Sequence, residues 1–398
     1  MSTTDLDRAA LDFLARLDDD GLRRSLVASR PQEGAWICRG GKHLIDFSSN
    51  DYLGLARHPA LIDRARAWAE DWGTGATASR LVTGNLDLHE KLEAKIAAAK
   101  GTEAALIFNS GWQANSALLP TLTDPNFLGA PAAMFADRLI HASLHAGIAQ
   151  AGLTQTRYRH NDLTHLEDML KRHRDGAGQK TVPFIVTETV FSMDGDRADL
   201  QALIELAERY DAVLYVDEAH ATGVLGGNGM GLASDFAGRI PLVMGTFGKA
   251  LGSFGAYLAC SGPIKDYLVN RCRGFIYSTA LPPPILGAID AALDLVPTMG
   301  PERARLHGNA DRVRAACAQA GIDTGASSTQ IVPAILGDAA ATMDAARRLE
   351  EAGLLGVGIR PPTVPRGMAR IRFSLSSTHD GDAIDRLIGQ IPALAAPS

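Results

Sequence analysis

The chain has 398 residues, 46% of them hydrophobic and 21% charged, which is typical of a globular protein and excludes a disordered one. Its formal net charge of −6 argues against nucleic acid as the main partner, because binding to phosphates requires a basic surface. No apolar run is long enough for a membrane span, and the acidic start does not resemble a signal peptide. Four widely spaced cysteines indicate a reducing compartment. We therefore expect a cytoplasmic protein.

The first 50 residues predict an amphipathic helix over residues 5–30 and a hairpin with strands at 36–38 and 44–47. From residue 51 to residue 285, short apolar runs alternate with helical stretches such as 86–99 and 200–210. This alternation predicts a mostly parallel sheet that is covered by helices on both faces. The predicted strands are residues 104–108, 133–135, 184–187, 212–216, 242–244 and 255–259.

The composition changes after three consecutive prolines at 282–284. Alanine-rich predicted helices follow, with predicted strands at 331–336 and 371–375. A smaller α+β domain over residues 286–398 is the natural reading. We therefore predict an α/β fold with an N-terminal helix and hairpin (1–50), a large domain (51–285) and this small C-terminal domain.

Reactive side chains follow the ends of the predicted strands, where ligands bind in open α/β sheets. Asp217 and His220 come after strand 212–216, and Lys249 comes after strand 242–244. A Ser110-Gly111-Trp112 turn follows strand 104–108. An acid, an imidazole, a lysine and a polar turn should therefore meet in one crevice.

This set of side chains suits pyridoxal phosphate. The cofactor needs a lysine amine for its aldehyde and a carboxylate that keeps its ring nitrogen protonated. Its phosphate needs backbone N–H groups and hydroxyls, preferably at the N-terminus of a helix. Lys249, Asp217, the Ser110-Gly111-Trp112 turn and Thr246 supply these groups, and His141 can stack on the ring.

Other readings of the same residues are weaker. Residues 245–249 fail the Walker pattern, because Val243 stands where its first glycine belongs and Ala250 follows Lys249. His141 and His145 have helical spacing but no accompanying glutamate motif, so we predict no metal. A dehydrogenase lacks its glycine fingerprint here, and a non-catalytic α/β binding protein stays open at this point.

Several segments carry a family resemblance. They are FSSNDYLGL (47–55), SMDGD (192–196), VDEAHATG (216–223), TFGK (246–249), IYST (276–279) and IRPPTVP (359–365). Through them the chain resembles the α-oxoamine synthases, which are fold-type I pyridoxal-phosphate enzymes, over nearly its whole length. The 359–365 segment, followed by Arg370 and Arg372, is similar to that of the members that condense L-alanine with a pimeloyl thioester.

The resemblance implies a role for each matching residue. Lys249 holds the cofactor covalently, Asp217 pairs with the ring nitrogen, His220 binds the ring hydroxyl, His141 stacks on the ring and Ser192 lies beside it. Ser110, Gly111, Trp112 and Thr246 bind the phosphate, with Ser278 or Thr279 reaching in from a second subunit of a homodimer. Arg372 grips the amino-acid carboxylate, while Arg23, Asn50 and Thr363 line the substrate side.

The implied reaction is a decarboxylative condensation of L-alanine with a pimeloyl group on coenzyme A or acyl carrier protein, in biotin biosynthesis. The alternatives within the family are 2-amino-3-ketobutyrate ligase, 5-aminolevulinate synthase and serine palmitoyltransferase. Arg370 rivals Arg372, because residues i and i+2 of a strand share a face. Two segments bear on the acyl group: Thr77-Ala78, where the family has more glycine, and the prolines of 359–365, which predict a stiff extended wall.

Overall fold

The computed structural model describes residues 3–19, 21–176 and 180–395. Strands and helices alternate through the middle of the chain, as the apolar pattern predicts. The strands are β1 (Ser29–Pro31), β2 (Trp36–Arg39), β3 (Lys42–Asp46), β4 (Ala104–Phe108), β5 (Ala132–Asp137), β6 (Gln155–Tyr158), β7 (Val182–Glu188), β8 (Val213–Asp217), β9 (Leu242–Thr246), β10 (Ala256–Cys260), β11 (Ile331–Gly337), β12 (Leu354–Leu355), β13 (Val357–Ile359) and β14 (Ala369–Ser374).

Helices cover the central sheet and follow most of its strands. They are α1 (Thr3–Asp19), α2 (Pro59–Trp72), α3 (Asp87–Lys100), α4 (Gly111–Leu122), α5 (Pro125–Leu128), α6 (Ala142–Gln150), α7 (Leu163–Asp175), α8 (Leu200–Arg209), α9 (Gly262–Arg271), α10 (Arg273–Ile276), α11 (Pro283–Leu295), α12 (Gly300–Gln319), α13 (Ala339–Glu351) and α14 (Gly381–Leu394). Within the described ranges, no helix has the length and apolarity that crossing a membrane requires.

The central sheet has seven strands in the order β4-β10-β9-β8-β7-β5-β6. All neighbours pair in parallel except β10, which is antiparallel to both β4 and β9. Alternate residues of β8 enter different cores, with Leu214 and Val216 on one face and Tyr215 on the other. This burial on both faces confirms the predicted mostly parallel sheet and explains its continuous apolar runs.

Two smaller sheets involve the C-terminal part of the chain. Strands β11, β14 and β13 form an antiparallel sheet, and β12 pairs in parallel with β3 of the N-terminal hairpin. The hairpin therefore shares a sheet with C-terminal residues, although it precedes the large domain in sequence. The division into three segments at residues 50 and 285 stays a prediction.

Several details differ from the sequence-based expectations. The first helix ends at Asp19 instead of residue 30, because Gly21 takes a left-handed φ of 63°. The polar edge strand β6 was not predicted, and neither was the reversed direction of β10. The 359–365 segment is not an extended wall: after β13 it closes a turn, in which the Thr363 N–H donates to the Arg360 carbonyl at 3.1 Å.

Candidate active site

Five polar segments follow the C-terminal ends of parallel strands and meet along one edge of the sheet. The strand ends lie side by side, since Glu188 of β7 is in register with Asp217 of β8, and Asp217 with Met244 of β9. The segments begin at Ser110 after β4, at His141 after β5, at Ser192 after β7, at His220 after β8 and at Lys249 after β9. The crevice predicted from the sequence is therefore present.

Lys249 lies on a tight turn that Thr246 holds in shape. The Thr246 hydroxyl donates to the Gly255 carbonyl at 2.9 Å and accepts the Gly248 N–H at 3.1 Å. The turn ends at Gly252, which has a φ of 63° and where a Cβ would lie 2.3 Å from the Ala56 nitrogen. Only glycine fits such a position, so the backbone around the half-buried Lys249 is closely defined.

Lys249 begins a chain of hydrogen bonds that crosses the crevice. Its Nζ lies 2.7 Å from Nε2 of His220, whose Nδ1 lies 2.6 Å from the Tyr52 hydroxyl. Tyr52 donates to Asn50 Oδ1 at 3.0 Å, and Arg372 Nη2 donates to the same oxygen at 3.2 Å. The predicted residues Lys249, His220, Asn50 and Arg372 therefore form one connected group.

Asp217 lies at the floor of the crevice and is 4% exposed. Its Oδ1 accepts the Ala219 N–H at 2.8 Å, and its Oδ2 accepts from the Asn115 side-chain amide at 2.9 Å. These neutral donors stabilise the carboxylate and leave a lone pair free on Oδ2. Asp217 is also close enough to His141 and Lys249 to influence their protonation electrostatically.

His141 and the turn at Ser110 lie at the N-termini of two helices. The Ser110 hydroxyl accepts the Gln113 N–H at 3.1 Å and caps α4, while His141 Nδ1 accepts the Ser143 N–H at 3.2 Å and caps α6. The ring of Trp112 lies edge-on to that of His141, with centroids 6.2 Å apart. The first N–H groups of α4 therefore face the same crevice and can bind an anion.

Arg370 and Arg372 turn in different directions although they share a strand face. Arg370 is ion-paired to Asp194 at 2.7 Å and also donates to the Met193 carbonyl at 3.1 Å. Arg372 instead reaches Asn50 and Tyr52, and its Nε donates to the Ser192 carbonyl. Only Arg372 of the two directs its guanidinium toward Lys249 and His220, which the sequence pattern alone left undecided.

Ser278 and Thr279 lie against the Ser110 turn of their own chain. Gln113 of α4 donates to the Ser278 hydroxyl at 2.6 Å, and Asn109 donates to the Thr279 carbonyl at 2.8 Å. Thr77, in the 73–80 loop, takes a left-handed φ of 59°, which glycine adopts with less strain. The same loop bonds Ala280, whose N–H donates to the Ala78 carbonyl at 3.0 Å.

Arg23 and Thr363 are exposed, and no contact joins them to the Lys249 group among the described residues. Arg23 is ion-paired to Asp18 at 2.5 Å, and its carbonyl accepts from Arg360 at 3.2 Å. Its neighbour Arg24 donates to the Thr363 hydroxyl at 3.4 Å. The structure therefore brings the end of the N-terminal segment and the 360–363 turn together, apart from the predicted cofactor residues.

Comparisons with known proteins agree with this geometry. The aminotransferase class I and II family matches residues 42–391. The chain belongs to that family. It is 55% identical to the putative 8-amino-7-oxononanoate synthase of Paramagnetospirillum magneticum, over 97% of each chain. It is 55% identical to the 8-amino-7-oxononanoate synthase of Gluconacetobacter diazotrophicus, over 94% of each. A serine palmitoyltransferase solved with pyridoxal phosphate superposes with a TM-score of 0.90 at 26% identity, over 99% of this chain and 98% of that one.

Within the aminotransferase family the chain is an α-oxoamine synthase, and its cofactor is pyridoxal phosphate. The chemistry of the donor set in the crevice fits that cofactor. Lys249 offers an amine, Asp217 offers a carboxylate oxygen with a free lone pair, and α4 offers its N-terminal N–H groups. The Thr246 hydroxyl is already bonded to Gly248 and Gly255, so it has one remaining lone pair and no free proton for a phosphate.

Burial sets the protonation of this α-oxoamine synthase site. Desolvation lowers the pKa of Lys249 to about 8, although Asp217 and Glu188 act to raise it. Burial, together with Lys249 and Arg372, lowers the pKa of His220 well below its usual value, so the ring is neutral. Burial also raises the pKa of Glu188 well above its usual value, and the nearby Asp217 reinforces that shift. Both effects favour the neutral form of the Glu188 carboxyl group.

Several residues of the site escaped the sequence reasoning. Tyr52 joins His220 to Asn50, and it lies inside the FSSNDYLGL segment that signalled the family. Asn115 holds Asp217 from helix α4, a contact between residues 102 positions apart. Lys100 and Glu218 form a buried ion pair of 2.6 Å beneath the Asp217–His220 turn. For Asn115 the sequence does contain a local signal, because it is a polar residue in an apolar helix, next to Ala114, Leu118 and Leu119. A buried polar residue of this kind needs a hydrogen-bond partner.

Proposed function

We propose that the chain condenses L-alanine with a pimeloyl thioester and releases 8-amino-7-oxononanoate, carbon dioxide and the free thiol, in biotin biosynthesis. The observation that carries the proposal is the connected group of Lys249, His220, Tyr52, Asn50 and Arg372. In this group the Lys249 amine can accept a proton and the Arg372 guanidinium can bind a carboxylate, and both lie in one crevice. The substrate pair is taken from relatives named 8-amino-7-oxononanoate synthase.

The bound cofactor supplies an electron sink for the pair released when a bond at the substrate α-carbon breaks. Lys249, Asp217 and His220 would hold its aldehyde, ring nitrogen and ring hydroxyl, with His141 and Ser192 beside the ring. The turn Ser110-Gly111-Trp112 and the N-terminal N–H groups of α4 would hold its phosphate, while Thr246 would keep the turn that carries Lys249 in shape. A carboxylate oxygen of Asp217 beside the ring nitrogen would favour the protonated ring, which is the state that accepts electrons best.

Lys249 acts as the general base and acid. An amine with a pKa of about 8 is roughly one quarter neutral at pH 7.5, whereas an ordinary lysine is about 0.1% neutral. The neutral amine takes the α-proton of alanine, and the α-carbon then bonds to the thioester carbonyl as the thiol leaves. After carbon dioxide departs, Lys249 returns the proton to the same carbon.

Arg372 orients the amino acid through its carboxylate. A guanidinium can form two parallel hydrogen bonds to a carboxylate, and Asn50 and Ser192 hold this one in position. Arg370 is unsuited to the role because Asp194 already neutralises it. Arg23 and Thr363 would contact the acyl substrate, whose carrier is coenzyme A or acyl carrier protein.

A homodimer in the cytoplasm completes the proposal, with Ser278 or Thr279 contributing to the site of the other subunit. Large apolar side chains beside these residues support an interface: Tyr277 is 77% exposed and Val82 is 73% exposed. Sedimentation velocity should give twice the chain mass. Mixing Lys249→Ala protein with Thr279→Ala protein would then report any site shared between subunits by a change in activity.

The direct test of the reaction is product analysis by mass spectrometry with alanine, glycine and serine against acetyl-, succinyl-, pimeloyl- and palmitoyl-CoA. We expect 8-amino-7-oxononanoate from alanine and pimeloyl-CoA as the fastest product. The TM-score of 0.90 to a serine palmitoyltransferase makes serine with palmitoyl-CoA the second candidate. A faster reaction with that pair would replace the proposed substrates but not the family.

A further inference from the structure

A chain of hydrogen bonds, buried except at its His141 end, runs behind the cofactor residues and connects Asp217 to His141. Asn115, on α4, donates to Asp217 Oδ2 at 2.9 Å and to the Ser143 hydroxyl at 2.9 Å. Ser143 lies 2.7 Å from His141 Nδ1, and the Tyr215 hydroxyl donates to Asn115 Oδ1 at 2.8 Å. Asn115 and Ser143 are each 1% exposed and Tyr215 is 0% exposed, so water cannot replace the three side-chain bonds of Asn115.

The direction of every bond in this chain is determined by the available protons. Because Tyr215 donates to Oδ1 of Asn115, both protons of the amide point the other way, one to Asp217 and one to Ser143. The Ser143 N–H donates to Nδ1 of His141, so this nitrogen is an acceptor. It therefore also accepts the hydrogen bond from the Ser143 hydroxyl. The neutral His141 ring therefore carries its proton on Nε2.

The helices that carry this chain are packed too closely to shift. Helix α6 approaches α4 at Gly147, where a Cβ would lie 2.4 Å from the Asn115 carbonyl oxygen. Gly147 follows Ser143 by one helical turn, so the close approach holds the Ser143 hydroxyl against the Asn115 amide. The hydrogen bonds and the helix packing therefore define one geometry for Asp217 relative to His141.

We propose that Asn115 is a positioning residue for pyridoxal phosphate: it fixes the Asp217 carboxylate and, through Ser143, the ring of His141 on the other side of the cofactor site. This inference rests on the roles proposed above for Asp217 and His141. The amide is a neutral donor to one oxygen of Asp217, and it leaves a lone pair on that oxygen for the ring nitrogen. Tyr215 keeps the amide from rotating into the opposite orientation.

The test is the affinity of the apo protein for pyridoxal phosphate, titrated by absorbance in the full-length chain. Asn115→Leu keeps the size of the side chain but removes all three hydrogen bonds, and we expect its Kd to rise roughly 10- to 100-fold. In an Asp217→Ala background the same substitution should raise Kd by a clearly smaller factor, because only the contribution through Ser143 and His141 remains. A residue needed only for folding would lower the affinity by the same factor in both backgrounds.

Two further variants keep the test decisive. Tyr215→Phe removes only the hydroxyl that orients Asn115 and leaves the ring packed, so its Kd should rise roughly 3- to 10-fold even if Asn115→Leu does not fold. Asn309→Leu, in α12, loses a buried amide bond of 3.0 Å to the His379 carbonyl and should lower Tm with Kd unchanged.

Two results would overturn the inference: an unchanged Kd in Tyr215→Phe, or an equal effect of Asn115→Leu with and without Asp217. A wild type that binds the cofactor but makes no 8-amino-7-oxononanoate would overturn the proposed reaction alone, because the Kd pattern does not depend on the substrates.

Discussion

At the cofactor end of the crevice, Asp217 and His220 are each 4% exposed, and every polar atom of the two side chains has a hydrogen-bond partner. The proposed acyl end is the region around Arg23 and Thr363, which are both exposed, and among the described residues the Thr363 hydroxyl receives one hydrogen bond, of 3.4 Å, from Arg24. The first group is fixed by parallel strand ends and packed helices. The second group belongs to a segment after α1 and a turn after β13.

The difference indicates how the two ends can change independently. Buried, hydrogen-bonded groups are costly to alter, because each lost partner leaves a desolvated atom behind. Exposed groups in turns exchange protein contacts for water at little cost. We therefore expect substitutions at the cofactor end to have large effects on all substrates and substitutions at the acyl end to have small, substrate-specific ones.

The largest effect is expected for Lys249→Ala. Loss of the amine removes both the covalent attachment of the cofactor and the proton acceptor, so kcat should fall at least about 1000-fold. The protein should fold and keep weak, noncovalent cofactor binding, which dialysis and circular dichroism would check. Activity within tenfold of the wild type would contradict the assignment of Lys249.

Arg372→Ala tests whether the guanidinium of Arg372 binds the carboxylate of alanine. We expect KM for alanine to rise roughly 10- to 100-fold with cofactor affinity unchanged, because a charged hydrogen bond to the carboxylate is lost. The matched control is Arg370→Ala, which leaves Asp194 without its ion pair and should lower Tm while changing KM less than about threefold. Reversed behaviour of the two variants would mean that Arg370 binds alanine.

The cofactor end should also be the pH-sensitive one. Attachment of pyridoxal phosphate requires the neutral amine of Lys249, whose pKa is lowered to about 8 by burial. The initial rate of covalent uptake by apo protein should therefore rise about tenfold per pH unit below pH 8 and level off above it. Stopped-flow absorbance measures this rate, and a rise that continues to about pH 10 would indicate an ordinary lysine.

The smallest effect is expected for Thr363→Val at the acyl end. The hydroxyl is exposed and, within the described part of the chain, bonded only to Arg24, so KM for pimeloyl-CoA should rise roughly two- to fivefold while KM for alanine stays constant. Steady-state kinetics with each substrate varied in turn would separate the two constants. An unchanged KM for pimeloyl-CoA would remove Thr363 from substrate recognition.

The sequence predicted which residues meet at the sheet edge because these residues follow buried strands directly. Parallel strands end at one edge, so Ser110, Asp217, His220 and Lys249 could be expected together without knowing any contact. The contacts of Asn115 with Asp217 and of Tyr52 with His220 could not be expected, since those partners are 102 and 168 residues away and no local pattern encodes the pairing. The same limit applies to Arg370 and Arg372, whose strand face is shared but whose guanidinium partners are distant loops.

The acyl end was predicted less well because turns and helix ends determine it. The first helix was expected to continue to residue 30, but the left-handed Gly21 ends it and turns Arg23 toward Arg360. The prolines of 359–365 suggested an extended wall, whereas the Thr363 N–H closes a turn onto Arg360. Both outcomes depend on single backbone dihedrals and on contacts across the chain.

The central claim is that one lysine, Lys249, carries the cofactor at this sheet edge. Borohydride reduction of the holoenzyme, followed by proteolysis and peptide mass spectrometry, tests it most directly. We predict a single phosphopyridoxyl group on the peptide that contains Lys249. This group should be lost when excess alanine is added before reduction. Labelling of a different lysine, or no labelled peptide at all, would contradict the assignment of Lys249 as the residue that carries the cofactor.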